Sequence, residues 1–123
     1  MSGDNLKAMS EAALVNRFRA YALEQEAALL ESNTARYNRL YKKIKSIDSE
    51  LRARGPEARK ALLVLLDDPN LRVRYEAATR CAAIDRARVV SALKQIVASR
   101  QMPEEGWAGM ALWHLETGVF KPT

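Results

Sequence analysis

Apolar residues recur at intervals of three and four along most of this chain, which is the spacing that places side chains on one face of an α-helix. The interval is most regular near the middle of the chain, at Tyr37, Leu40, Ile44, Ile47 and Leu51. A stripe this narrow predicts a helix that packs lengthwise against another helix. No alternating run of apolar and polar residues is bounded by hairpin turns, so the sequence predicts no strand.

Capping and helix-breaking residues set the boundaries of the first two predicted helices. Ser10 is a suitable N-cap for a first helix, and the segment Ser32–Thr34 breaks the chain and caps the second. The inward positions predicted for the first helix are Leu14, Val15, Phe18, Ala22 and Leu29. Gly55–Pro56 ends the second helix and begins a third. We therefore expect a long antiparallel helical hairpin over 10–54, preceded by a flexible segment over 1–9.

The stretch from Ala61 to Ile84, ALLVLLDDPNLRVRYEAATRCAAI, consists of an apolar helix, a polar turn and a second helix with small residues on one face. Its characteristic positions are Asp67, Asp68, Pro69, Val73, Arg74, Ala77 and Ala78. This pattern resembles a HEAT-type repeat, an antiparallel helix pair that buries its apolar side by stacking on neighbours. The resemblance implies that the acids cap or brace the turn and that the arginine bonds turn groups of an adjacent repeat.

The pattern occurs a second time in divergent form. The apolar positions of 62–66 recur 31 residues later, over 93–97. We assign one repeat to 56–84 and a second to 85–118. The residues expected to begin and to end this second repeat are Asp85 and Gly118. The predicted fold is all-α, a HEAT-like α-α superhelix of about six helices in three stacked antiparallel hairpins, forming a single domain over 10–123.

Two longer segments extend the resemblance to the whole chain: ARYNRLYKKIKSIDSELRARGPEARKALLVLLDDPNLRVRYEAA and the ending GMALWHLETGVFKPT. Both are similar to sequences of a small bacterial family of HEAT-like, all-helical proteins known as a domain of unknown function. The resemblance covers about 11–123. It supports the fold and implies no activity.

Candidate catalytic chemistry is sparse. Cys81 lies on the same apolar stripe as Val73 and Ala77, which favours a buried, inert thiol, and a lone cysteine excludes an internal disulfide. His114 is the only histidine and has no metal-ligand neighbours in sequence. The glycines form no phosphate-binding loop. The sequence therefore predicts no catalytic residue, no cofactor and no metal site, and we expect that the protein is not an enzyme.

The net charge of +5 is concentrated in one segment, because 33–60 contains nine basic and three acidic residues. The candidate basic patch on the second helix comprises Arg36, Arg39, Lys42, Lys43 and Lys45. Such a patch could contact phosphates, with Tyr37 and Tyr41 as stacking partners. Three acids, Asp48, Glu50 and Glu57, interrupt it, which favours an ordinary solvated helix surface. Nucleic-acid binding is the alternative.

The last predicted helix is apolar on nearly all sides, although a terminal repeat normally keeps a polar outer face. Its candidate interface residues are Trp107, Met110 and Trp113. Two explanations are open: the tail 119–122 folds back and covers these residues, or they form a surface for a partner or for self-association.

We expect a non-enzymatic protein–protein interaction module, such as an adaptor, a scaffold or an inhibitor of a partner enzyme. The partner is another protein or a second copy of the chain. The alternative function is binding of the nucleic-acid phosphate backbone through the basic second helix. The N-terminus contains acids and lacks the apolar core of a signal peptide, and no apolar run is long enough to span a bilayer. We therefore expect a cytoplasmic protein that does not bind membranes.

Overall fold

The computed structural model describes residues 5–123, which form six α-helices and two short 3-10 helices and contain no strand. In chain order these are η1 (Leu6–Ala8), α1 (Glu11–Leu30), α2 (Thr34–Ala53), α3 (Pro56–Arg59), η2 (Lys60–Asp67), α4 (Leu71–Cys81), α5 (Arg86–Ser99) and α6 (Glu104–Thr117). The all-α prediction with six helices is confirmed. Over the same residues, no helix has both the length and the apolar character that crossing a membrane requires.

The chain forms two compact units that divide between Ala61 and Leu62. In the N-terminal unit, α1 and α2 pack along each other, and α2 also contacts η1 and α3. In the C-terminal unit, α5 packs on α6, and α4 contacts both. Helix packing of this kind is compatible with a HEAT-like superhelix, while the single domain and the three stacked hairpins stay predictions.

Side-chain caps begin both long helices of the N-terminal unit. The Ser10 hydroxyl accepts a hydrogen bond from the Ala13 N–H at 3.1 Å, and the Asn33 side chain accepts one from the Arg36 N–H at 3.1 Å. Between the two helices, Ser32 adopts a left-handed conformation with φ of 56°. The core residues that the sequence predicts here and the structure buries are Leu14, Val15, Phe18, Ala22, Leu40, Ile44, Ile47 and Leu51.

One inward position predicted for α1 is wrong. Leu29 is exposed, whereas Ala28 is fully buried. Leu29 lies in the last turn of α1, beside the turn that leads into α2, and it lines a small hollow there with Asn33 and Tyr37. Because α2 has only begun at this level, it covers less of the α1 surface than it does one turn earlier. Tyr37 itself is half-buried.

The break after α2 is confirmed, but the third helix differs from the prediction. Gly55 has φ of 110°, and Pro56 occupies the first position of α3. α3 ends at Arg59, and the chain continues as the 3-10 helix η2. Three residues complete one 3-10 turn, so Leu62 and Leu65 lie in line and are both buried.

The N-terminal segment is held to the end of α2 by an arginine. The Arg54 guanidinium donates to the Leu6 carbonyl at 2.9 Å, and its Nε lies 2.8 Å from the Glu50 carboxylate, which supplies the counter-charge. Within the predicted flexible segment, residues 1–4 lie outside the described residues, and Leu6–Ala8 form η1.

In the C-terminal unit, the turn between η2 and α4 is stabilised by its own side chains. Asp68 accepts from the Asn70 N–H at 2.9 Å, and Asn70 caps α4 by accepting from the Val73 N–H at 3.0 Å. Arg74 donates to the Asp68 carbonyl. The acid therefore braces the turn as expected, but Arg74 bonds within its own turn and not to an adjacent repeat. The physical reason is proximity, because Arg74 lies in the first turn of the helix that follows Asp68.

A different arginine links this turn to the next helix. Arg88 of α5 donates to the Leu63 carbonyl and to the Asp67 carboxylate, both at 3.4 Å. Asp85 caps α5 by accepting from the Arg88 N–H at 3.1 Å, as predicted. α6 ends at Gly118, whose φ is 76°. The predicted apolar positions of α4 that are buried are Val73, Ala77, Ala78 and Cys81.

Two glycine substitutions test this description of the backbone. Gly55→Ala is expected to lower the free energy of unfolding by about 1 to 3 kcal/mol, because an L side chain is strained at its positive φ. Gly109→Ala is expected to raise it by about 0.5 to 1 kcal/mol, because a helical Ala loses less entropy than Gly. A Cβ added at Gly109 would meet the Val97 side chain at 4.0 Å, an ordinary contact. Urea denaturation of both variants measures the difference, and equal effects would contradict it.

Candidate interaction surfaces

A buried ion pair at the start of α4 lies against α6. Arg72 is fully buried, and its Nη2 lies 2.9 Å from Glu76 Oε1, one turn further along α4. The Arg72 guanidinium carbon lies 4.8 Å from the centre of the Trp107 ring on α6, within cation–π distance. Tyr75 packs against the same ring, with 5.6 Å between ring centres. Arg72 is not among the residues predicted from the sequence, although its i,i+4 spacing from Glu76 is typical of an ion pair on a helix.

Burial raises the pKa of the Glu76 carboxyl above its ordinary value of 4.5. The positive charges of Arg72 and Arg80, together with the hydrogen bond from Arg72, oppose that rise. Desolvation is the larger effect, so Glu76 holds its proton to a higher pH in the folded protein than in the unfolded chain.

The three candidate interface residues of α6 do not share one surface. Trp107 is half-buried against α4, whereas Met110 and Trp113 are 57% and 54% exposed. Met102 is 70% exposed, and its side chain lies over Gly106, one helical turn before Met110. The exposed apolar residues Met102, Met110, Trp113 and Phe120 are called the α6 apolar face below.

The C-terminal tail turns back but does not cover this face. After Gly118, the Phe120 N–H donates to the His114 carbonyl at 3.1 Å. Phe120 remains 41% exposed and Trp113 54% exposed, so the tail leaves the indole accessible. The explanation in which the tail buries these aromatic residues is therefore wrong. The tail is tied to the helix end by its backbone, and its apolar side chains add to the exposed surface.

The candidate basic patch on α2 is smaller than the sequence indicates. Arg36 forms ion pairs with Glu24 at 3.4 Å and Glu31 at 3.3 Å, and Lys43 lies over the Tyr21 ring at 5.3 Å. The remaining cations of the patch are exposed and have no acidic partner among residues 5–123. They are Arg39, Lys42 and Lys45, called the α2 basic face below.

Two side chains with possible catalytic chemistry, Cys81 and His114, differ in their exposure. Cys81 is fully buried, as predicted, and His114 is half-buried with its ring 5.4 Å from that of Trp113. In the described part of the chain, no group of three or more His, Cys, Asp or Glu side chains is placed to hold a metal ion.

Comparison with known proteins gives a family. Residues 12–116 match the "Domain of unknown function (DUF2019)". The chain belongs to the DUF2019 family. This chain is also similar to a protein of known crystal structure, RPA1889 from Rhodopseudomonas palustris CGA009, with 38% sequence identity and a TM-score of 0.93. That similarity covers 98% of this chain and 99% of the other. A search of curated proteins found no match.

The two tryptophans of this DUF2019 chain provide a matched pair of substitutions. Trp107→Ala is expected to destabilise the protein by about 2 to 3 kcal/mol, because it removes the ring that packs on Arg72 and Tyr75. Trp113→Ala is expected to cost less, no more than about 1 kcal/mol, because Trp113 is 54% exposed and, over residues 5–123, has no buried partner like Arg72. Chemical denaturation of both variants distinguishes these roles. An equal loss in the two variants would contradict the inward placement of Trp107.

The raised pKa of Glu76 predicts a pH dependence of stability. Between pH 4.5 and the folded pKa of Glu76, the folded protein binds more protons than the unfolded chain. The contribution of Glu76 to the free energy of unfolding therefore falls as pH rises through this range. The fall is at most about 1.4 kcal/mol per pH unit. Glu76→Gln removes the titration, and the stability of this variant relative to wild type should therefore increase with pH. Denaturation between about pH 4 and 8 measures it, and parallel curves would refute the assignment.

Proposed function

We propose that this protein is a non-enzymatic protein–protein interaction module and that it binds its partner through the α6 apolar face. The observation that carries the proposal is the exposure of more than half of Met110 and of Trp113 on one helix, with no cover from the tail. Exposed apolar patches on soluble proteins mark interaction sites, and Trp and Met are enriched at the centres of interfaces.

The surroundings of this face also favour a protein partner. Contacts of Trp107 with Arg72 and Tyr75 hold the inner side of α6 against α4, so the helix presents Met110 and Trp113 from a packed backbone. A helix backbone that is already held in place loses little entropy on binding, which favours affinity. An adaptor, a scaffold or an inhibitor of an enzyme could use such a surface.

The non-enzymatic part of the proposal rests on the placement of the reactive side chains. The Cys81 thiol is fully buried and does not reach solvent, where a substrate would approach. His114 packs beside Trp113 on α6 and is the single histidine of the chain. No cofactor enters this proposal.

Affinity capture with matched variants tests the function. Tagged wild-type protein, the double variant Met110→Ala/Trp113→Ala and the control Leu30→Ala are used to capture partners from the native lysate after nuclease treatment. Leu30 is 83% exposed in α1 and is apolar, so its substitution controls for the loss of any exposed hydrophobic side chain. We expect wild type and Leu30→Ala to capture the same partner protein in similar amounts. The double variant should capture at least about tenfold less of it, since central interface residues contribute about 2 kcal/mol each to binding.

Sedimentation of the purified protein distinguishes self-association from a different partner. A wild-type dimer that the double variant converts to monomer would identify a second copy as the partner. The proposal fails if wild type and double variant capture the same proteins in equal amounts and both remain monomeric. Thermal unfolding of each variant shows whether a loss of binding reflects a loss of fold.

A further inference from the structure

We propose that the α2 basic face binds the phosphate backbone of nucleic acid. This site lies in the N-terminal unit, involves no residue of the α6 apolar face and goes beyond the function proposed above. Its members, Arg39, Lys42 and Lys45, are exposed and have no acidic partner within 5–123.

The structure changes the meaning of the acids that interrupt the basic segment in sequence. Asp48 is buried and lies 3.8 Å from Arg59 Nε, and the Glu50 carboxylate is occupied by Arg54 at 2.8 Å. The third acid, Glu57, pairs with Lys60 at 3.0 Å. Each acid is therefore neutralised by a cation outside the α2 basic face. What remains on the outward side of α2 is a surface of positive charge, which attracts polyanions.

The spacing of these cations suits a row of phosphates. Arg39, Lys42 and Lys45 are three residues apart, and a rise of about 1.5 Å per residue places the first and the last roughly 9 Å apart along the helix axis. Ser46 and Ser49 line one hollow together with Lys42 and Lys45, and its other lining residues are Leu6 and Glu50, whose carboxylate is paired with Arg54. Hydroxyl groups next to lysines are common partners of phosphate oxygens, where they fix the position of the backbone without reading sequence.

The composition of this surface favours nucleic acid over other polyanions. A face that enters an anionic membrane needs several large apolar side chains exposed beside its cations. The α2 basic face is bordered mainly by Ser46 and Ser49, with the half-exposed Tyr41 nearby and the half-buried Leu6 in the hollow. Interfaces with proteins are depleted in lysine at their centres, and two of the three cations here are lysines. Lysine-rich surfaces with neighbouring hydroxyls are typical of phosphate-backbone contact.

Fluorescence anisotropy with a labelled DNA duplex of about two helical turns tests the proposal. The test variant is Arg39→Gln/Lys42→Gln/Lys45→Gln. The control variant is Lys94→Gln/Arg100→Gln/Lys121→Gln, in which three exposed cations of the C-terminal unit are replaced. Each variant loses three positive charges, so both have a net charge of +2 in place of +5. All substituted side chains are exposed, and circular dichroism should show unchanged folding.

We expect wild type and control to bind the duplex within about threefold of each other and the test variant to bind at least about tenfold more weakly. Between about 50 and 200 mM salt, the slope of log K against log salt should become smaller by roughly two to three units in the test variant, because each lost phosphate contact removes about 0.9.

Three results would overturn the proposal. The first is an equal loss of affinity in the test and control variants, which would show that binding follows net charge alone. The second is the absence of duplex binding by wild type at low salt. The third is binding to vesicles that contain phosphatidylserine but not to the duplex, which would assign the face to membranes. None of these results bears on the α6 apolar face, so the two proposals fail separately.

Discussion

A buried guanidinium is the constraint on which the C-terminal unit depends. Arg72 is fully buried, and a charge in that position is strongly unfavourable unless a counter-charge pairs with it. Glu76 supplies the counter-charge from the same helix, and the Trp107 ring supplies a cation–π contact from α6. Because these contacts join α4 to α6, they hold the Trp107 side of α6 against α4. Trp113, on another side of that helix, is consequently exposed.

Ion pairs have a comparable effect on the surface of the N-terminal unit. The acids of the basic segment pair with cations outside the α2 basic face, as the Glu50–Arg54 and Asp48–Arg59 pairs show. Both pairs are largely shielded from solvent, and the carboxylate of Asp48 is buried. Their consequence here is the distribution of charge, because pairing of the acids leaves Arg39, Lys42 and Lys45 as a continuous positive surface.

Membership in the DUF2019 family and similarity to the protein from Rhodopseudomonas palustris define the fold of this chain and leave its activity open. A fold can support unrelated functions, so function has to be argued from particular surfaces. Two surfaces of different chemistry, one apolar on α6 and one basic on α2, lead to proposals about two classes of ligand. Both rest on side chains that the packing of each unit leaves exposed.

The sequence by itself determined the features that depend on local interactions. The caps at Ser10 and Asp85 and the break at Gly55 are readable because capping and positive φ involve only a few neighbouring residues. The apolar stripe of α2 is readable because it repeats with the helical period. Tertiary structure alone decided which of the two tryptophans faces inward. Nearly every side of α6 is apolar, so its sequence does not distinguish them, and in the folded protein it is the Trp107 ring that contacts Arg72 and Tyr75 of α4. Exposure at the two candidate surfaces has the same origin, because it depends on which neighbours the folded chain brings alongside them.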